Sequence, residues 1–265
     1  MTPADFAQFE RFFDAYTRRF AGPDGRFHPV QQLKAGHSLR VVANAERIVA
    51  AEKWPEAEVL LGKACALLHD VGRFPQYAEH RSFEDSKTFD HAARGAEVLR
   101  AEGVLDTLPA EERARILVAV CCHNLRELAP TLPPEHAACA HLVRDADKLD
   151  IFRILEETVR KGGLDDHPEI AWSLPAHERV NPDILAAIRA GQGVHYELVR
   201  SMCDFVLIQV GWLHSGLHYP STVAIAWENR ALEFRERYVL AIDDSPAVRD
   251  CFADTRAAMR KRLPA

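Results

Sequence analysis

Apolar residues recur at helical spacing along most of the chain, and the clearest case lies between residues 57 and 68. There, apolar side chains repeat every three or four positions, so one face of the segment is apolar throughout. We predict a buried helix that ends near Gly72, where a glycine can take the left-handed backbone conformation that terminates helices. The apolar face consists of Ala57, Leu60, Leu61, Ala64, Leu67 and Leu68.

A similar stripe from Leu39 to Val49 stops before Trp54, because the residue that precedes a proline is disfavoured in helical geometry. No segment alternates polar and apolar residues for long enough to predict a half-buried strand. We therefore predict an all-α fold. Further helices are expected over about residues 4–20, 91–102, 110–125, 136–160, 197–214, 221–240 and 246–262.

Glycine and proline interrupt this pattern between Gly162 and Gly193, which we interpret as an insertion or a hinge. We divide the chain into a metal-binding helical core with an amino-terminal helix, residues 1–160, and a carboxy-terminal helical extension, residues 161–265. A single continuous domain is the alternative.

Charge and composition narrow the function classes. The chain holds 33 Lys+Arg against 39 Asp+Glu, and its net charge of -6 gives no support for specific nucleic-acid binding or for attraction to an anionic membrane. No apolar run approaches the roughly 20 residues of a transmembrane helix. The amino terminus does not resemble a secretory signal, so we expect a cytoplasmic protein. The six cysteines include no Cys-x-x-Cys pair and are expected to be buried, reduced thiols.

Side chains that bind metals occur near the ends of several predicted helices. His69 and Asp70 follow the apolar helix directly, and burying them without a partner would cost several kcal/mol. Helical bundles build metal sites from side chains that project inward from several helices. Such a mixture of imidazoles and carboxylates suits manganese, iron or zinc better than calcium. The candidate ligands are His37, His69, Asp70, His91, His123 and Asp147, with Asp145 as an alternative to Asp147.

The order of these residues resembles the His…His-Asp…Asp pattern of the HD superfamily of metal-dependent phosphohydrolases. Arg73 matches the basic residue that follows the His-Asp-x-Gly turn, and His91 to Gly95 match a His-x-x-x-Gly element. The resemblance covers about residues 30–155. It implies an HD-domain helical bundle with additional carboxy-terminal helices.

The added His91 and His123 resemble the subgroup of the superfamily that holds two metals. In that reading Asp70 bridges the two ions, His37 completes one metal site, and His91 with His123 completes the other. In a one-metal site, His91 and His123 would instead face the substrate or support the ligands. The Gly-Tyr-Pro element of the cyclic-dinucleotide phosphodiesterases is missing, so their substrate is not favoured.

The resemblance implies a divalent transition metal as cofactor, one or two ions of manganese, iron or zinc, with magnesium as a further candidate. A metal-bound hydroxide would hydrolyse a phosphate ester or anhydride of a small molecule, and we favour a nucleotide. The oligomeric state is left open, with a homo-oligomer as one option.

Several cations are candidates for substrate contact. Arg73 could hold two phosphate oxygens with its guanidinium fork, and Lys148 adjoins the ligand Asp147. We assign catalytic roles to Asp70, Arg73 and Lys148. Arg73 is also assigned to substrate binding, together with three cations that could line the pocket rim: Lys87, Arg94 and Arg126. The alternative for each cation is an exposed charge that contacts only solvent.

Two other functions fit the same ligands. The set also resembles the di-iron site of HD-fold oxygenases, in which the metals activate dioxygen instead of water. A non-catalytic nucleotide-binding sensor that retains the HD scaffold is the second alternative. Ligand identity alone does not separate these functions.

Overall fold

The computed structural model describes residues 1–162 and 174–264, and within these ranges it contains helices and no strand. The predicted all-α class is confirmed. In chain order the α-helices are α1 Pro3–Arg18, α2 Pro29–Ala51, α3 Glu56–Leu68, α4 Arg73–His80, α5 His91–Ala101, α6 Ala110–Cys122, α7 Pro134–Arg160, α8 Pro182–Arg189, α9 Met202–Gly211, α10 Pro220–Glu228, α11 Ala231–Leu240 and α12 Pro246–Arg262. One-turn 3₁₀ helices span Asp85–Lys87 and Tyr196–Leu198, and a π-helix spans Trp212–Gly216.

Local chemistry explains where the helices that carry candidate ligands begin. The Asp90 carboxylate accepts hydrogen bonds from the backbone N–H groups of Ala92 and Ala93, which caps α5 immediately before His91. The first turn of α6 contains Glu111 and Glu112, whose negative charges stabilise the amino-terminal end of the helix through the helix dipole.

Three helical features differ from the prediction. The helix expected over 221–240 is two helices, because Arg230 takes a left-handed conformation with φ of 56° between them. The helix expected over 197–214 starts later, at Met202, and its end is the π-helix. Helix α4 was not predicted, since it has only eight residues and contains Pro75 in its first turn.

Helix α8 lies in the segment interpreted as an insertion or hinge. Asn181 caps it and Pro182 occupies its first turn, a start pattern that is visible in the sequence. Residues 163–173 of that segment lie outside the described residues.

The described residues form two compact units, Met1–Asp150 and Ile151–Ala265. In the amino-terminal unit, the apolar helix α3 packs against α1, α2 and α6. Phe9, Phe13 and Phe74 are buried in its core, and the rings of Phe13 and Phe74 meet edge to face with centroids 6.1 Å apart. This packing holds the end of α3, and with it His69 and Asp70, in a fixed position. The predicted division after residue 160 stays a prediction.

The carboxy-terminal unit has a charged residue at its centre. Arg235 is fully buried and donates hydrogen bonds to Gln209 Oε1 at 2.6 Å, Glu156 Oε1 at 3.0 Å and the Phe152 carbonyl at 3.1 Å. Burial lowers the pKa of Arg235 to about 10. Because a buried cation without partners would be costly, this set of acceptors is what makes the arrangement stable.

Gly72 positions the candidate ligands in a way that differs from the prediction. Its φ is -70°, so it is not the left-handed helix terminator that we expected. A Cβ at this position would lie 2.1 Å from the carbonyl oxygen of His91 and 2.7 Å from the backbone nitrogen of Gly95. Glycine is required because the backbone of α5 passes directly against the turn that follows Asp70.

Two further expectations concern membranes and thiols. In the ranges that the structure covers, no helix is both long and apolar enough to cross a membrane. The cysteines at positions 65, 139, 203 and 251 are free and buried, as expected, whereas Cys121 and Cys122 are half-buried. The expectation of burial was wrong for these two, since they lie in the last turn of α6.

Candidate metal centre

The six predicted ligands come from five helices of the amino-terminal unit and converge on one point. His37 lies within α2, His91 begins α5 and Asp147 lies within α7. His69 and His123 occupy equivalent places, each directly after the last residue of an apolar helix. The four histidines and Asp70 are buried.

Asp70 lies at the centre of this cluster and faces different histidines with its two oxygens. Its Oδ2 is 3.7 Å from His37 Nε2 and 3.6 Å from His69 Nε2. Its Oδ1 is 3.4 Å from His91 Nε2 and 3.6 Å from His123 Nε2. We call the group of His37, His69 and Asp70 Oδ2 the first half-site, and the group of His91, His123 and Asp70 Oδ1 the second half-site.

Asp147 adds a second carboxylate to the first half-site. Its Oδ1 is 3.0 Å from His37 Nε2 and 3.9 Å from His69 Nε2. Asp145, the alternative, is two residues earlier on α7 and therefore projects about 200° away around the helix. This geometry favours Asp147 over Asp145 as the candidate ligand.

Backbone carbonyls fix one histidine in each half-site. His69 Nδ1 is 2.7 Å from the Ala66 carbonyl oxygen, and His123 Nδ1 is 2.7 Å from that of Val120. Each carbonyl belongs to the last turn of a helix, where carbonyls lack intrahelical partners. Since Nδ1–H donates to the carbonyl, the lone pair of each neutral ring is on Nε2, which points at Asp70.

A carboxylate fixes the other histidine of the first half-site. His37 Nδ1 is 2.7 Å from Asp150 Oδ2, and Arg40 Nε donates to the other Asp150 oxygen at 2.8 Å. Asp150 is almost fully buried and lies on α7, one turn after Asp147. The same helix therefore supplies a candidate ligand and the group that orients His37.

His91 of the second half-site has the same arrangement with different residues. His91 Nδ1 is 2.6 Å from Asp85 Oδ2, and Arg73 Nη1 donates to Asp85 Oδ1 at 2.9 Å. Arg73 Nη1 also donates to Gln76 Oε1 and to the Phe83 carbonyl. Asp85 belongs to a one-turn 3₁₀ helix, and about a third of its side chain is exposed.

The electrostatics keep His69 and His91 unprotonated at neutral pH. Burial lowers the pKa of His69 to about 4 and, with the charge of Arg73, that of His91 to about 3. Burial also lowers the pKa of His37, but the neighbouring carboxylates outweigh it and raise that pKa above its usual value. Burial raises the pKa of Asp70, but the charge of Lys34 and the nearby imidazoles hold it well below the usual range. At neutral pH His69 and His91 therefore present Nε2 lone pairs beside the charged Asp70 carboxylate.

These side chains fit a metal pair. His69 Nε2 is buried without a hydrogen-bond partner, and the Asp147 carboxylate lies 3.0 Å from His37 Nε2. His91 Nε2 and His123 Nε2 are 2.9 Å apart, although both rings already donate through Nδ1, so only an added proton or a metal ion satisfies both nitrogens. Ligands at about 2.1 Å from a tetrahedral ion lie about 3.4 Å apart, close to the distances around Asp70.

The predicted catalytic cations lie beside the centre. Arg73 Nε is 3.6 Å from Asp70 Oδ1 and is buried without a hydrogen-bond partner. Lys148 is buried, and burial together with the charge of Arg144 lowers its pKa to about 8. The roles of Arg73 and Lys148 stay predictions.

The predicted rim cations are more exposed and pair with carboxylates outside the centre. Lys87, Arg94 and Arg126 have exposed side-chain fractions of 71%, 39% and 44%. Their ion-pair partners are Glu84 for Lys87, Glu79 and Glu97 for Arg94, and Glu127 for Arg126. Substrate contact by these three stays a prediction.

Lys34, which was not among the predicted residues, is a further cation at the centre. Lys34 Nζ donates to Asp70 Oδ2 at 2.9 Å and lies over the ring of Phe83, 5.4 Å from its centroid. Lys34 precedes His37 by three residues on α2, so helical spacing places both on one face. That spacing was the available clue.

Comparison with known proteins supports the resemblance. The family model described as HD domain matches residues 35–151, which confirms the resemblance over this part of the chain. HD domains are all-α, bind divalent metals and are mostly metal-dependent hydrolases. No curated protein and no solved structure matches the chain.

Proposed function

We propose that the HD domain at residues 35–151 is a metal-dependent phosphohydrolase that acts in the cytoplasm on a small phosphorylated molecule, with a nucleotide as the favoured substrate class. The observation that carries the proposal is the placement of Asp70. Each of its two oxygens faces a different pair of histidine Nε2 atoms at 3.4 to 3.7 Å. A carboxylate so placed is suited to bridge two cations.

The two half-sites would hold one ion each, and Asp147 would complete the first. Two bound divalent ions lower the pKa of a water molecule and neutralise charge on a phosphoryl group. The protein's own contribution is to hold four imidazole rings and Asp70 in position before a metal ion binds. The hydrogen bonds at the Nδ1 atoms of the four histidines fix the orientation of the rings.

The cations around Asp70 favour an anionic substrate. Lys34 contacts Asp70 directly, and Arg73 Nε lies 3.6 Å from it with its hydrogen unused. With cations on both sides of the bridging carboxylate, a group that carries several negative oxygens is attracted to this point. An uncharged polyol, which an oxygenase would take, gains less from this arrangement.

Metal analysis combined with two activity assays tests the proposal. We expect the purified protein to hold two divalent ions per chain and to release phosphate from one or more members of a nucleotide panel with manganese. Two iron atoms with oxygen consumption, on a polyol or a phosphonate, would contradict it in favour of an oxygenase. Nucleotide binding without turnover would favour a sensor.

A further inference from the structure

Asp85 receives hydrogen bonds from several elements around the second half-site. Its Oδ2 is 2.6 Å from His91 Nδ1, and its Oδ1 accepts from Arg73 Nη1 and from Gln76 Nε2, both at 2.9 Å. Asn124, the residue after His123, also donates to Oδ2 at 3.4 Å. Asp85 is therefore linked to α4, to α5 and to the end of α6, the three elements that enclose the second half-site.

The equivalent carboxylate of the first half-site is held differently. Asp150 lies within the 27-residue helix α7 and only 1% of its side chain is exposed. Asp85 belongs to a three-residue 3₁₀ helix, and 32% of its side chain is exposed. A short exposed turn opens locally at a lower free-energy cost than the interior of a long helix. The two histidines thus depend on supports of unequal stability.

The half-sites also differ in the ligands they offer. The first has two imidazoles, one Asp70 oxygen and Asp147, whereas the second has two imidazoles and one Asp70 oxygen. With one carboxylate fewer, the second half-site presents less negative charge to a cation. Its affinity therefore depends more on how well its imidazoles are oriented and polarised.

We infer that Asp85 is the positioning residue of the second half-site, and that it sets the affinity of the weaker of two metal ions. The inference rests on the proposed two-metal function. Asp85 acts through His91: it orients the ring, fixes the proton on Nδ1 and makes Nε2 a stronger ligand. The conformation of the turn Asp85–Lys87 then affects how tightly a metal ion binds in the second half-site and leaves the first half-site unaffected.

The test replaces Asp85→Asn and measures stepwise dissociation of manganese by competition with a chelator. An asparagine can still accept the Nδ1 hydrogen bond but removes the negative charge. We expect the weaker of the two ions to bind roughly 10–100-fold less tightly, while the tighter ion changes by less than about twofold. Melting temperatures of the metal-free proteins show whether the variant is folded.

The matched control is Asp90→Asn. Asp90 is five residues further on, carries the same charge and contacts Asn124, but its main hydrogen bonds cap α5 through Ala92 and Ala93. Asparagine is an equally good cap, so both dissociation constants should stay unchanged. If Asp85→Asn does not fold, Asp85→Glu retains the charge, displaces the carboxylate, and should also weaken one ion selectively.

The outcomes separate this inference from the proposed function. A wild-type protein that binds fewer than two ions contradicts both. Two ions whose affinities are unchanged by Asp85→Asn, or weakened equally, overturn the inference and leave the two-metal function standing. An effect of Asp90→Asn as large as that of Asp85→Asn overturns it as well, since loss of any nearby charge would then be sufficient.

Discussion

The first half-site orients His37 with Asp150 on a buried helix, whereas the second half-site orients His91 with Asp85 on a partly exposed turn. Both carboxylates also accept a hydrogen bond from an arginine, Arg40 in the first case and Arg73 in the second. The chemistry of the two pairs is thus the same, and the difference lies in the elements that hold them. In a histidine-rich centre, the residues behind the ligands decide how the two positions differ.

The largest expected effect comes from removing what the half-sites share. Asp70→Ala takes one oxygen from each and leaves Lys34 without its partner, so both ions should be lost together. Phosphate release should fall by roughly 1,000-fold or more. Metal content and turnover measure this, with Asp106→Ala at an exposed position as the control. If the variant loses only one ion, Asp70 does not serve both half-sites.

The second largest effect concerns the contact that joins the two half-sites. In Gly72→Ala, the new methyl group would overlap the His91 carbonyl oxygen, which only a shift of α5 can relieve. We expect a loss of about 3 kcal/mol or more in the free energy of unfolding, measured with urea. Gly211→Ala, where the nearest atoms are 3.4 Å away, should cost less than about 1 kcal/mol. Equal losses in the two variants would contradict the role given to Gly72.

A third substitution tests the carboxylate that orients His37 in the first half-site. Asp150→Asn keeps an acceptor for His37 but removes the charge that His37 and Arg40 share. The affinity of the tighter ion should fall roughly 10–100-fold, and the weaker ion should change little. This is the reverse of the pattern expected for Asp85→Asn. Glu157→Gln, at a position on the same helix where 47% of the side chain is exposed, is the control. A loss confined to the weaker ion would refute the pairing of Asp150 with the first half-site.

The smallest expected effect is on KM and is tested by comparing substitutions of two lysines. Lys34→Ala removes the ammonium group next to Asp70 and should raise the KM for a phosphorylated substrate about tenfold, with two ions still bound. Lys87→Ala, whose exposed ammonium group pairs with Glu84, should change KM by less than about twofold. A larger effect at Lys87 would place the substrate on the rim that the sequence predicted.

The cluster of candidate ligands could be predicted because these residues follow from helical pattern and order along the chain. His69 and His123 stand at the ends of apolar helices, and the resemblance to the HD superfamily links them to His37 and His91. Asp85 could not be identified in this way, because the path of the segment between α4 and α5 is set by tertiary contacts and not by periodicity. Asp150 is one helical turn after Asp147 on the same α-helix and could have been found by the spacing.

The fold shows the same limit. The α-helical class and the bounds of α12 follow from apolar spacing, since 246–262 is both the predicted and the observed range. The break at Arg230 has no glycine or proline to mark it, because a non-glycine residue takes the left-handed conformation there. Gly72 was predicted to end a helix, but its role is to allow the close approach of α5. That role depends on how α3 and α5 pack in three dimensions, which the sequence does not show.

That approach has a mechanical consequence for the proposed metal pair. At Gly72 and Gly95 the main chains of two structural elements touch without intervening side chains, so the span between the halves of the centre is set by backbone contact. Substituting one ligand residue for another would change the affinity for an ion but would leave the distance between the two cations nearly constant. A longer or shorter distance between the two cations would require a shift of the whole helix α5.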